Sequence, residues 1–302
     1  MLDIKGSGET LGATVHGLDL AQTLEDREID RIVTALGRYG VLRFPAQELC
    51  ARHLADFSRR FGELEVNVAN AFQEPGLPEV MILSNMKENG RPVGLQDAGQ
   101  DWHTDMSYSR MIAFANVLYA LEVPHRDGRP LGSTQFCNMH AAYDELPDQV
   151  KTAIAGRTAI HDFAKFWDKM RREKGSTRPP LTEQQRAAKP PVPQPLVRVH
   201  PITGRNVLYA NPGYATRIEG MQQDDSDALL DFLFAHQTQD RFCYTFRWTR
   251  GDVLMWENIG TIHNAVADYA PDEHRLIKRC QVMADRFYHP DGRARQASER
   301  VA

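Results

Sequence analysis

Apolar residues along this chain follow two periods, helical near the start and mostly alternating afterwards. LGATVHGL at 11–18 predicts a strand, and Ile29, Ile32, Val33 and Leu36 then recur at helical spacing before Gly37 and Gly40. GVLRF at 40–44 predicts a short buried strand. Cys50, Leu54, Phe57 and Phe61 predict a second amphipathic helix that Gly62 stops. From there strand signals dominate: VMILS (80–84), WHTDMSY (102–108), FANVLYALEV (114–123), STQFCN (133–138), PLVRVH (195–200), NVLYA (206–210), YTFRW (244–248), DVLMW (252–256) and RLIKRCQVM (275–283), with Gly, Pro and Asn supplying the turns. A late helix, DDSDALLDFLFAHQ at 224–237, interrupts them. The pattern predicts a mainly β protein with flanking helices, an antiparallel sandwich or jelly-roll barrel without internal repeats.

Residues 162–194 break the pattern. They carry eight Lys/Arg (165, 169, 171, 172, 174, 178, 186, 189) against four Asp/Glu (162, 168, 173, 183) and end in the Pro-rich KPPVPQP. Phe163, Phe166, Trp167 and Met170 share one face of a short helix within this segment. It is read either as a solvated insertion with an apolar anchor or as a lid whose aromatic face closes over a site.

Composition narrows the class. With 302 residues, 42% of them hydrophobic, the chain can bury a sizeable core. A net charge of −4 gives no footprint for nucleic acid or a membrane surface. No apolar run approaches the ~20 residues that span a bilayer, and MLDIKGSGET lacks the apolar stretch of a secretory signal. The four cysteines (Cys50, Cys137, Cys243, Cys280) form no CxxC pair, and each sits in an apolar segment, so buried thiols in a reducing cytoplasm are expected.

Three His-x-Asp pairs occur, His103/Asp105, His125/Asp127 and His289/Asp291. The second and third lie in turn sequences, HRDGRP and HPDG, which fix no two side chains on one rigid face. On a strand, His103 and Asp105 of WHTDMSY would point the same way and could chelate one ion. His263, in TIHNA after the apolar strand DVLMW, can add a third ligand. Two His and one carboxylate make the facial triad of non-haem iron oxygenases, which leaves metal positions open. A structural zinc site would want four closing ligands, and no Cys is placed for one. By spacing alone, satisfied core histidines remain an equal alternative. Downstream, Arg275 and Arg279 fall four residues apart in an apolar strand pattern and so face one interior. Buried guanidiniums need anionic partners, either a bound carboxylate or structural salt bridges.

The motifs LGATVHGLDL, WHTDMSY, FCNMHAAYDELP, LVRVHPITGRNVLY, GDVLMWENIGTIHNAVADY and HRLIKR together resemble the taurine/2,4-D dioxygenase (TauD/TfdA) family of Fe(II)/2-oxoglutarate-dependent oxygenases, in the family's order and across most of the chain. The resemblance implies a double-stranded β-helix (jelly roll) with flanking helices, as one domain over 1–302 with the lid-like insertion at about 162–194. It implies that His103, Asp105 and His263 hold Fe(II). Thr134 and Arg275 would bind the distal carboxylate of 2-oxoglutarate, and Arg279 would face the anionic group of the primary substrate. Departures from the family also show. Trp256-Glu257-Asn258-Ile259 stands where Trp-Asp-Asn-Arg is common, and the stretch from His263 to Arg275 is one residue longer than in the taurine enzyme. Asn67, Asn70 and Gly99 replace pocket residues of that enzyme, and Phe166-Trp167 replaces a Ser-Phe pair, so a larger or aromatic acid is the expected substrate.

The implied reaction uses Fe(II), 2-oxoglutarate and O₂ to hydroxylate a small organic anion such as a sulfonate, aryloxy acid or other carboxylate, with bond cleavage where the hydroxylated carbon bears O or S. The remaining alternatives are a non-catalytic jelly-roll sensor of small acids, which needs no open metal positions, and a zinc hydrolase using the same triad, which needs a general base beside the metal. No nucleic-acid or membrane partner is expected. A cytoplasmic homo-oligomer is.

Overall fold

The computed structural model describes residues 2–66, 72–173 and 179–295. Among the described residues strands outnumber helices, which lie on the outside, as the alternating pattern predicts. Eight strands form one sheet in the order Asp3–Gly6, Ala13–His16, Val41–Phe44, Val253–Glu257, Ala113–Glu122, Leu276–Met283, Leu77–Ser84 and Gln73–Glu74. Neighbours are antiparallel except Ala13–His16 with Val41–Phe44. That parallel pair is joined by the helix Asp26–Tyr39, since parallel strands need a long crossover. Glu25 and Glu28 cap the helix reciprocally at its start, and Ile29, Ile32 and Leu36 bury its apolar stripe. In the helix Ala51–Arg59, Leu54 and Phe57 are buried, and Phe57 meets Phe44 and Phe61 edge-to-face at 5.6 and 5.1 Å.

Both faces of the large sheet are covered, which explains why its central strands read as continuous apolar runs. Along Val253–Glu257, Val253 and Met255 join the core under the helices, whereas Leu254 and Trp256 join a second cluster on the other face. A three-stranded antiparallel sheet closes that second cluster, in the order Cys243–Phe246, Thr134–Asn138, Thr261–Ala265. Phe136 from it meets Trp256 at 5.3 Å. A third sheet pairs Thr158–His161 with Val192–Pro195 and Ala215–Ile218. The 162–194 segment therefore leaves one strand as the helix Phe163–Glu173, passes through the helix Glu183–Ala188 and returns as the adjacent strand.

Several expectations need correction. WHTDMSY is not a strand: only His103 makes a β-bridge, and the chain then turns at Asp105–Tyr108 with Met106 at φ +57°. PLVRVH is two short strands interrupted at Leu196, whose N–H is taken by the Arg157 carbonyl. Cys50 is exposed at a helix N-cap rather than buried, and Cys137 and Cys243 are cross-strand partners with sulfurs 2.6 Å apart. The strand Asp3–Gly6 and the helices Met139–Asp144 and Asp148–Ile154 carried no readable signal of their own. Among the described residues, no helix is long and apolar enough to cross a membrane.

Candidate metal centre

His263 sits in the middle of the strand Thr261–Ala265, with Phe136 opposite on one side and His103 opposite on the other. His103 and His263 exchange both backbone hydrogen bonds, at 2.9 and 2.7 Å, so their side chains leave one face of the ladder side by side with ring centroids 4.2 Å apart. Asp105 reaches the same spot through the turn. Its Oδ1 lies 3.6 Å from His103 Nε2 and its Oδ2 lies 3.9 Å from His263 Nε2. The turn is fixed by Thr104 Oγ1 donating to the Asn258 carbonyl (2.6 Å) and by Asn211 Nδ2 donating to the Thr104 carbonyl (2.9 Å) and to Ser107 Oγ (2.7 Å). Gly213 presses on it from the other side, where a Cβ would come within 2.8 Å of His103 Cβ.

These three side chains fit a divalent ion. One donor atom from each lies within 4.8 Å of the others, and no other such group of His, Cys, Asp or Glu occurs among the described residues. His103 Nδ1 is 2.8 Å from the Asp101 carbonyl, which makes it the protonated nitrogen and leaves the Nε2 lone pair facing the cluster. Burial alone would raise the Asp105 carboxyl; the neighbouring His103 and then the Arg279 guanidinium outweigh it and hold Asp105 well below the usual carboxylate range. Burial, reinforced by His103, pushes His263 well below its usual value. An ionised carboxylate beside a neutral imidazole is the ligand state a metal requires. The rival pairs behave as expected: His125 is exposed in a two-residue hairpin strand, and Asp291 is occupied by Arg293.

The proposed cosubstrate residues also come together. Thr134 is buried, and its Oγ1 accepts from Trp248 Nε1 at 3.1 Å. A Cβ on Gly132, two residues earlier, would be 3.3 Å from Arg275 Cδ and 3.1 Å from Tyr269 Cε1, which packs the LGST segment against Arg275. Arg275 is held by its own backbone, with N–H donating to Asn85 Oδ1 (2.8 Å) and carbonyl accepting from Ser84 Oγ (2.7 Å). Its guanidinium has Tyr269 as a side-chain partner. Arg279 lies on the same strand face, with Nη1 3.6 Å from Asp105 Oδ2, so its nearest anion is a triad member.

Other pocket residues divide. Gly99, at φ +74°, lies against the His103 ring, where a Cβ would stand 3.4 Å from Cε1. The Phe166 ring is 5.0 Å from that of His103 and packs with Met170, Tyr214, Tyr108 and Phe163. Trp167 shows contacts within its own segment, 5.7 Å from Phe163 and donating Nε1 to the Pro179 carbonyl at 2.8 Å. Asn67 and Asn70 lie outside the described residues. Sequence reasoning missed Trp248, Tyr269, Asn211, Gly213 and Lys169, whose ammonium pairs with Asp101 beside His103. Tyr269 closes the motif GDVLMWENIGTIHNAVADY and Trp248 the strand YTFRW, but neither stretch marks them as site residues, although the lone Asn and Gly in NPGY stand out as turn residues.

Residues 3–281 match the family model described as taurine catabolism dioxygenase TauD, TfdA family. The chain is similar to pentalenolactone F synthase of Streptomyces avermitilis, with 30% identity over 301 residues covering 95% of this chain and 96% of that protein. It is also similar to the alpha-ketoglutarate-dependent 2,4-dichlorophenoxyacetate dioxygenase of Cupriavidus pinatubonensis, with 32% identity over 284 residues, 90% of this chain and 94% of that one. Among solved structures, a taurine dioxygenase from Burkholderia xenovorans superposes with a TM-score of 0.76 at 31% identity, covering 97% of this chain and 93% of that chain.

Proposed function

The chain belongs to the TauD/TfdA dioxygenase family, and from that premise we propose that it hydroxylates a small organic anion, with Fe(II) held by His103, Asp105 and His263. It is a 2-oxoglutarate-dependent dioxygenase, an oxidoreductase that uses Fe(II), 2-oxoglutarate and O₂. The sensor and hydrolase readings therefore fall away. The two facing sheets are read as a double-stranded β-helix, with the 162–194 segment as its lid. The observation that carries the metal assignment is the convergence of three donor atoms with the His103 tautomer already set by the Asp101 carbonyl.

Fe(II), when bound, supplies the O₂ chemistry that couples oxidative decarboxylation of 2-oxoglutarate to oxygen insertion at a substrate C–H bond. The protein supplies position and charge. Arg275 offers a bidentate fork to the distal carboxylate of 2-oxoglutarate. Thr134 offers a hydroxyl whose direction is set by Trp248. The indole N–H occupies one acceptor lone pair of Oγ1, so the O–H is left to donate to the carboxylate. Arg279 would orient the anionic end of the primary substrate, and the aromatic cluster around Phe166 would exclude water and contact its apolar part. Gly99 leaves room against His103. With Asn67, Asn70 and Trp167 as further pocket residues, the substrate would be bulkier than taurine. Succinate formed against substrate consumed, over a panel of sulfonates, aryloxy acids, sulfate esters and amino acids, tests the reading. Turnover of aryloxy or other bulky acids with taurine poor supports it. Tightly coupled turnover of taurine, or of neutral or cationic substrates only, overturns the substrate assignment.

A further inference from the structure

Asp105 is the one member of the triad that lies off the histidine ladder. Its carboxylate accepts a hydrogen bond from a side chain of the central strand Ala113–Glu122. Asn116 is fully buried and stands in register with Gln281 on one neighbouring strand and Trp256 on the other. Its Nδ2 donates to Asp105 Oδ2 at 2.9 Å and to Asn258 Oδ1 at 3.2 Å, and its Oδ1 accepts from Gln281 Nε2 at 3.3 Å. Both N–H groups are thus used. Gln281 also settles which way the amide faces, because its donor calls for Oδ1 on that side and so places Nδ2 toward the carboxylate. The opposite orientation would set a carbonyl oxygen against a carboxylate oxygen in a buried position.

Two consequences follow for the metal position. Asp105 Oδ2 already accepts from Asn116 and faces Arg279 Nη1 at 3.6 Å, whereas Oδ1 lies toward His103 Nε2 at 3.6 Å with no hydrogen-bond donor upon it among the described residues. The same amide grips Asn258, whose carbonyl accepts from Thr104 Oγ1 at 2.6 Å, so one side chain joins the turn carrying Asp105 to the turn that leads into the His263 strand.

We propose that Asn116 is a positioning residue of the metal centre, orienting Asp105 so that Oδ1 faces the ion and holding the two ligand-bearing turns in register, with Gln281 fixing its amide. This rests on the reading of His103, Asp105 and His263 as ligands. The test compares wild type, Asn116→Leu, Gln281→Met and His103→Ala, by Mn(II) titration followed through the free-ion EPR signal, by thermal midpoint of the metal-free protein, and by the KM for 2-oxoglutarate at saturating Fe(II). Asn116→Leu should bind Mn(II) about 10–100-fold more weakly, as loss of such outer partners does. Gln281→Met should shift it less in the same direction, and the 2-oxoglutarate KM should stay at the wild-type value in both. Mn(II) affinity unchanged in a folded Asn116→Leu overturns the proposal. So does a loss of metal affinity matched by an equal loss at 2-oxoglutarate, which marks general loosening. If Asn116→Leu does not fold, unchanged Mn(II) affinity in Gln281→Met overturns it instead. Should His103→Ala bind Mn(II) as wild type does, the ligand reading itself fails and takes this proposal with it.

Discussion

Replacing His103, Asp105 or His263 by Ala should each abolish Fe(II)-dependent turnover and leave the fold largely intact, measured by oxygen uptake and circular dichroism. Each removes a polar group from a desolvated cluster and leaves the backbone bridge between residues 103 and 263 in place. His125→Ala and His289→Ala should leave both turnover and fold unchanged. Full activity in any of the first three would sink the ligand set. Arg275→Leu should raise the KM for 2-oxoglutarate at least tens-fold, since losing a desolvated bidentate charge pair costs on the order of 2–5 kcal/mol. Thr134→Val should act in the same direction with a smaller effect. So should Trp248→Phe, which frees the Thr134 hydroxyl to turn away. If Arg275→Leu spares 2-oxoglutarate and damages the primary substrate, the roles of Arg275 and Arg279 are exchanged. At this scale the residue types of the centre were readable from His103-x-Asp105 and His263, because a metal demands particular donors. Asn116, Gln281 and Trp248 were not, because a hydrogen-bonding partner can come from any element that packs nearby.

The elements divide in the same way. Leu276–Met283 was legible because an alternating strand puts Arg275, Ile277, Arg279 and Gln281 on one face whatever its neighbours are, and Ile277 indeed joins the cluster between the two sheets. WHTDMSY misled for a specific reason. Alternation is only informative if a strand forms, and here a single bridge at His103 precedes a left-handed Met106. His103 and Asp105 still converge, through the turn instead of the pleat. For the helix Phe163–Glu173 the aromatic stripe was legible as one face, of which Phe166 and Met170 are buried and Phe163 and Trp167 half-buried, but the partner of that face was not in the pattern. Because Phe166 meets His103 whereas Trp167 packs against Phe163, Phe166→Ala should raise the KM of a bulky substrate more than Trp167→Ala does, and both should largely spare a small one. Equal effects on large and small substrates would mean that the helix is only a structural cover. Lys169→Met, which removes the ion pair to Asp101, should raise substrate KM while leaving Mn(II) binding intact.

The whole molecule also stores groups that no active site uses. His161 is fully buried against Tyr209, with neither ring nitrogen hydrogen-bonded, and burial, then the charges of Arg198 and Lys165, bring it down to about 3. The unfolded chain takes up this proton near the ordinary value of about 6.5 and the folded chain does not, so stability falls as pH drops from about 6.5 towards 3. In urea unfolding, His161→Phe should lose less stability than wild type between pH 7.5 and 5.5, by on the order of 1 kcal/mol. An identical pH dependence in the two proteins would show that His161 is not the group responsible. What the sequence determined by itself was everything that depends on period and donor chemistry. It set a mainly β chain with apolar central strands, an amphipathic start, a carboxylate and two imidazoles able to serve as metal donors, and two arginines on one strand face. Only the tertiary structure decided which sheet covers which face, that residues 103 and 263 are ladder partners, and that an asparagine 11 residues beyond Asp105 is the group its carboxylate leans on. The reason is physical: periodicity reports how much of an element is buried, whereas contacts between residues far apart in sequence are fixed by strand order and register, which local pattern does not encode.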